Sequence, residues 1–147
     1  MKTIICYSFR HHGNTRKVVE AMAREGELIA AAPRDFQLED CGCIGLASGI
    51  HFGKFHPSVL DWARRHWPQG KPVFFVCTYG GGQDSGTQAL AAERGCPVLG
   101  EFGCRGYDTF GPFKLAGGIA KGRPNEADLA AARAFYRDLV RRQGGNA

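Results

Sequence analysis

The strongest constraint on how this chain can fold is a regular alternation of short apolar runs with amphipathic segments of helical period. Lys2–Ser8 (Lys-Thr-Ile-Ile-Cys-Tyr-Ser) is a β-rich run of the kind that a strand covered on both faces requires. Thr15–Glu25 follows, with Val18, Val19, Met22 and Ala23 on one helical face and Asn14 or Thr15 suited to cap its start. Leu28–Ala31 is a weak second strand and Cys43–Ala47 a third, again short and apolar. His56-Pro57-Ser58 opens a helix with Pro57 in its first turn and Val59, Leu60, Ala63 and Trp67 facing inward. Lys71–Cys77 is the clearest strand, Thr87–Arg94 a short Ala-rich helix and Pro97–Phe102 a fifth strand. A last helix runs from Asn125 to about Arg142, with Leu129, Ala132, Phe135, Tyr136, Leu139 and Val140 at helical spacing.

Strands that alternate with helices predict an α/β fold: a three-layer α/β/α sandwich around a five-stranded parallel sheet of order 2-1-3-4-5. A length of 147 residues allows one domain over 1–147, large enough to bury a core without disulfides or metal. Four of the six cysteines sit in or beside predicted strands and read as small buried hydrophobes; the spacing of the six matches no zinc or iron–sulfur pattern. No segment reads as a signal peptide or membrane span, and the expected compartment is the cytoplasm. In a sheet of this order ligands sit at the carboxyl ends of the strands, near the switch between the first and third. Function is therefore expected in three loops, and there the composition is informative: the 21 glycines are about twice the usual ~7% and have no period.

The first loop is Ser8-Phe9-Arg10-His11-His12-Gly13-Asn14-Thr15, leading straight into a helix. Backbone N–H groups at such a helix start favour a phosphate dianion; Gly13 permits close approach, and Ser8, Asn14 and Thr15 are neutral donors. A phosphoacceptor aspartate is missing where a receiver domain needs it, Cys6 is followed by His12 where a low-molecular-weight phosphatase needs Arg, and no Walker loop is present. The second loop runs from Ala47 through Ser48, Gly49, Ile50, His51, Phe52, Gly53, Lys54 and Phe55 to His56 and Pro57. It presents apolar and aromatic side chains where a polar loop is the norm, which a flat aromatic ligand explains; Phe52 and Phe55 could equally tuck under the following helix. The third loop, Thr78-Tyr79-Gly80-Gly81-Gly82-Gln83-Asp84, lets backbone amides approach a ring edge, with Tyr79 as a lid.

With these loops in place, the chain resembles the flavodoxin family from Lys2 to about Arg142. Gly13-Asn14-Thr15 matches the end of that family's phosphate loop; upstream, the loop is two residues longer when Ser8 is aligned with the family's first hydroxyl, and His12 stands where the family has threonine. The stretch from Gly49 to Pro57 resembles the family's isoalloxazine loop and Thr78-Tyr79-Gly80 its second ring-contacting loop. The resemblance implies flavin mononucleotide (FMN) held by Ser8, Arg10, His11, His12, Gly13, Asn14, Thr15, Ser48, Gly49, Ile50, His51, Phe52, Gly53, Lys54, Thr78, Tyr79, Gly80 and Gly81. In that reading Phe52 and Tyr79 sandwich the ring, and a backbone carbonyl at Gly49 or Gly53 faces flavin N5.

The implied role is electron transfer with a redox partner protein. The alternative is an FMN-dependent NAD(P)H or quinone-type oxidoreductase acting on a small electron acceptor. No Gly-x-Gly-x-x-Gly fingerprint is present to hold a dinucleotide. The formal charge of +5, against the acidity typical of flavodoxins, implies an acidic partner. With His51, Lys54, His56, Arg105 and Lys114 in or near the mouth, it also implies a less negative reduction potential. Arg133, Arg137, Arg141 and Arg142 read as a solvated helix face rather than a nucleic-acid surface. The long stretch Cys104–Pro124 reads either as a cover for the flavin edge or as an insertion packed on the sheet.

Overall fold

A computed structural model describes residues 3–7, 13–25, 28–31, 42–51, 54–67, 69–79, 91–106 and 122–144. In chain order they form β1 (Thr3–Tyr7), α1 (Asn14–Ala23), β2 (Leu28–Ala31), β3 (Cys43–His51), β4 (Lys54–Phe55), α2 (Pro57–His66), β5 (Val73–Tyr79), β6 (Val98–Arg105) and α3 (Glu126–Gly144). Of the expected Thr87–Arg94 helix, residues 91–93 are described and are helical.

The run Val-Phe-Phe-Val-Cys-Thr of β5 is buried on both faces and pairs in parallel with β3 on one side and β6 on the other. It divides two cores. Val73, Phe75 and Cys77 join Ile44 and Leu46 of β3 against Val59, Trp62, Ala63 and Trp67 from α2 and its end. Phe74 and Val76 alternate to the opposite face, where α1 brings Val18, Val19 and Met22 and α3 brings Ala132, Tyr136 and Leu139. Phe75 meets Phe55 and Trp67 edge-on, with ring centroids 6.4 and 6.1 Å away. The chain is thus α/β, with helices on both faces of a parallel sheet in the order β2-β1-β3-β5-β6, and β4 is added antiparallel to β3.

Several elements differ from their expected bounds. Neither Asn14 nor Thr15 caps α1; the N-cap is Gly13, in the left-handed region at φ 67°, and no side chain caps the helix. The segment after Ala47 is not a loop throughout: β3 continues to His51 and folds back through Ile50↔Phe55 and His51↔Lys54 into a hairpin. Backbone pairing to β5 carries it, with Ser48↔Cys77 and Gly49↔Thr78 extending the ladder. Likewise β6 runs past Phe102 to Arg105, paired to Tyr79.

The helix ends are fixed locally. At α2, His56 is the N-cap and its Nδ1 accepts from Ser58 N at 3.1 Å, with Pro57 in the first turn as expected. At α3, Asn125 Oδ1 accepts from Asp128 N at 3.0 Å while Asp128 Oδ2 accepts from Asn125 N at 2.8 Å, a reciprocal capping box. Arg137 of α3 pairs with Glu25, just past the end of α1, at 3.1 Å, and within α3 Arg142 pairs with Asp138 at 3.1 Å. Cys43, Cys77, Cys96 and Cys104 are buried thiols. Among the described residues no helix is long and apolar enough to cross a membrane.

Candidate functional site

The strand order places β1 between β2 and β3, so the chain leaves β1 to one side and later returns on the other. That reversal opens a crevice at the carboxyl ends of the strands. The N-terminus of α1 stands there. Gly13 reaches φ 67° and ψ 20° at no steric cost, and its carbonyl accepts the first helical bond from Lys17 N at 3.1 Å. The first turn holds no acidic residue, and a helix start leaves its leading N–H groups without acceptors inside the helix. The local field therefore favours an anion.

Two contacts fix this turn against the sheet. Thr15, 2% exposed, has its Oγ1 2.9 Å from Oγ1 of Thr78, itself 3% exposed. Gly106 follows β6 directly and donates its N–H to the Tyr79 carbonyl at 2.9 Å, prolonging the β5–β6 ladder by one bond. It is buried against Asn14: a Cβ built there would lie 2.6 Å from Nδ2, 2.9 Å from Cγ and 3.0 Å from Cβ of Asn14. The carboxyl ends of β5 and β6 thus hold the first turn of α1 from one side.

On the other face of the sheet, Ser48 at the outer end of β3 is fully buried. Its Oγ donates to the Gly49 carbonyl at 2.7 Å and accepts from His56 N at 2.8 Å, tying the hairpin's two ends together at the start of α2. The Gly49 carbonyl, expected to face a ring nitrogen, already accepts this hydroxyl. Ile50 and Tyr79 are half-buried and pack onto the α2-side core, and Phe55, 2% exposed, belongs to that core. Phe55 is therefore a loop aromatic that tucks under the following helix.

Arg123 and Asp128 form an ion pair, with Nε to Oδ2 at 2.5 Å and Nη2 to Oδ1 at 2.7 Å, a two-bond fork. The Arg123 hydrogen bonds, with help from Asn125 N, hold the Asp128 carboxyl below its ordinary range despite partial burial. The guanidinium is in turn raised by Asp128 and lies near enough to Cys104 and Tyr79 to feel both. Burial pushes the Cys77 and Cys104 thiols up to about 12, so both stay protonated at neutral pH and act as apolar filling. Among the described residues no group of three or more His, Cys, Asp or Glu could hold a metal ion.

Of the expected site residues, Gly13, Asn14 and Thr15 come together with Thr78. Ser48 and Gly49 lie one strand over, in register with Cys77 and Thr78, and Ile50 and Tyr79 lie on the α2 side of the sheet. His51 and Lys54 are placed as the pair closing the hairpin. Ser8, Arg10, His11, His12, Phe52, Gly53, Gly80 and Gly81 lie outside the described residues, as does most of the Cys104–Pro124 stretch. Gly106 and Arg123 fall within the Cys104–Pro124 stretch, expected either to cover the flavin edge or to pack on the sheet, and Asp128 lies in the first turn of α3. The Asn125-x-x-Asp128 spacing is a readable capping signal, whereas nothing local marks Gly106 as the glycine that meets α1.

The donors present suit a phosphate monoester: amides at a helix start, paired threonine hydroxyls, and no carboxylate in the turn. No family model matches the sequence. A protein of Methanocaldococcus jannaschii, the uncharacterized protein MJ0298, is 33% identical over 150 residues, covering 96% of this chain and 99% of the relative. Among solved structures, a flavodoxin from the domain Archaea superposes with a TM-score of 0.70 at 17% identity, covering 97% of this chain and 98% of that one. Rubredoxin oxygen:oxidoreductase from Desulfovibrio gigas superposes with a TM-score of 0.73 at 14% identity, covering 98% of this chain and 36% of the other. These likenesses show a flavodoxin-like fold.

Proposed function

The chain belongs to the family of the Methanocaldococcus jannaschii protein MJ0298, and we propose that it is an FMN-binding, flavodoxin-like electron carrier. The observation that carries this reading is the start of α1. A left-handed glycine, a first turn without acidic side chains and the Thr15–Thr78 hydroxyl pair meet at the point where the strand order reverses. Among the described strands the order β2-β1-β3-β5-β6 brings that turn beside the ends of β3 and β5.

In this proposal the first-turn amides of α1 bind the phosphate, and Thr15 orients its hydroxyl through Thr78. The β3–β4 hairpin, braced by Ser48 and His56, supplies one wall for the ring, and Tyr79 borders it at the end of β5. Bound FMN would supply the one- and two-electron redox chemistry. The protein contributes position and electrostatics. Cys77 and Cys104, held as neutral thiols, put no negative charge beside the ring. The net charge of +5 and the exposed Arg105 at the end of β6 suit an acidic redox partner and a less negative potential than acidic flavodoxins have.

The test is reconstitution followed by anaerobic reduction. The purified chain mixed with FMN should quench flavin fluorescence at one equivalent, and dithionite should reduce the bound flavin while NAD(P)H alone does so only slowly. Rapid bleaching by NAD(P)H would replace the carrier with an FMN-dependent reductase of a small acceptor.

A further inference from the structure

We propose that Gly106 is a positioning residue for phosphate recognition: because it carries no side chain, the end of β6 can lie against Asn14 and set where the first turn of α1 presents its donors. This inference rests on the flavin-phosphate reading above and goes beyond it to a residue outside all three cofactor loops.

An added methyl group at Gly106 would sit 2.6 to 3.0 Å from Nδ2, Cγ and Cβ of Asn14, and ordinary contact between such atoms needs roughly 3.5 Å. Something must therefore move by several tenths of an ångström. Gly106 is buried, and its N–H is committed to the Tyr79 carbonyl at 2.9 Å, one step beyond the Tyr79↔Arg105 pair. Yielding on that side breaks the ladder that ends β5 and β6. Asn14 is only 5% exposed, so its amide cannot swing out to water, and two of the three crowded atoms lie at Cβ and Cγ rather than at the tip.

The displacement is therefore passed to the backbone of Asn14 and to the turn it begins. The next residue, Thr15, is anchored to Thr78, so the turn tilts about that anchor instead of translating as a unit. Hydrogen bonds to an anion lose strength steeply with misalignment, so the phosphate bears the loss. A ring seated on the β3–β4 hairpin does not.

The experiment compares FMN with riboflavin, which has the same ring and no phosphate. Fluorescence quenching gives both Kd values for the wild-type chain, Gly106→Ala, Asn14→Ala and the double variant, after circular dichroism has shown each to be folded. Gly106→Ala should raise the Kd for FMN about tenfold or more and leave that for riboflavin within about twofold. In the Asn14→Ala background two of the three crowding atoms are gone, and the same substitution should cost less than about threefold. Asn14→Gln, which lengthens the side chain against an unchanged Gly106, approaches the contact from the other side. It should show the same FMN-selective loss, and it decides the matter if Gly106→Ala does not fold.

Equal loss of FMN and riboflavin would mean a merely structural role. An unchanged FMN affinity, or the same penalty in both backgrounds, would also overturn the role of Gly106 while leaving the flavin reading intact. A wild-type chain that binds neither compound overturns both.

Discussion

The hydroxyl pair between Thr15 and Thr78 joins the first turn of α1 to the centre of the sheet across 63 positions of sequence, and its removal has a calculable consequence. Thr15→Val and Thr78→Val each replace a hydroxyl by a methyl of nearly the same size. Thr and Val have similar helix propensity, so the backbone of α1 contributes little to the difference. Each single variant strands the other hydroxyl at a site only 2–3% exposed, where water cannot compensate it. The cost is one lost hydrogen bond and one uncompensated polar group, about 1–3 kcal/mol. The double variant strands nothing and places two methyl groups in contact. It should lie within about 1 kcal/mol of wild type, with a coupling energy of at least about 1 kcal/mol between the two positions. Urea unfolding of the flavin-free chain reads this directly, because m should not change and midpoints convert to free energies. Additive single effects, with the double variant losing their sum, would show that the two hydroxyls do not depend on each other.

Three further outcomes follow from the same geometry. Gly13→Ala has open space for its methyl but must hold φ 67°, so it should lose about 1–2 kcal/mol of stability, with Gly13→Asn losing less; thermal melts of the two variants test the ordering. The Asp128 carboxyl is ionised in the native chain where the unfolded chain's would be protonated. Its stabilisation is therefore present above the ordinary carboxylate range and lost as pH falls through its lowered value. Asp128→Asn should be less stable at neutral pH and decline less steeply in acid, measured as urea midpoints against pH. Cys77 and Cys104, raised to about 12 mainly by burial, should resist iodoacetamide at pH 8 in the native state and react on unfolding; peptide mapping that finds either modified in native protein would contradict their burial.

Much of the scaffold was legible because its signals are local. The apolar runs at Ile44–Leu46 and Val73–Cys77 and the helical stripe from Leu129 to Val140 depend only on period and burial, and each forms the element expected. The extent of β3 was not legible. Ser48-Gly49-Ile50-His51 carries a single apolar side chain, and its strand geometry comes from the fold-back onto β4 and from pairing with β5, a partner remote in sequence. The start of α1 shows the same divide. Gly-Asn-Thr reads as a cap supplied by Asn14 or Thr15, yet Gly13 takes the cap position and both polar side chains turn inward. Thr15 finds Thr78, and Asn14 lies against Gly106, through tertiary contacts that override the local preference for capping.

In the proposed role this sheet and the first turn of α1 hold a flavin by its phosphate. Titration of the wild-type chain with FMN and with riboflavin under the same conditions, followed by flavin fluorescence, reads that directly. Saturable binding of FMN at one equivalent, tighter than riboflavin by tenfold or more, is the result the geometry predicts, since several charge-assisted hydrogen bonds are at stake. Equal affinity for the two, or no binding of either, would contradict it.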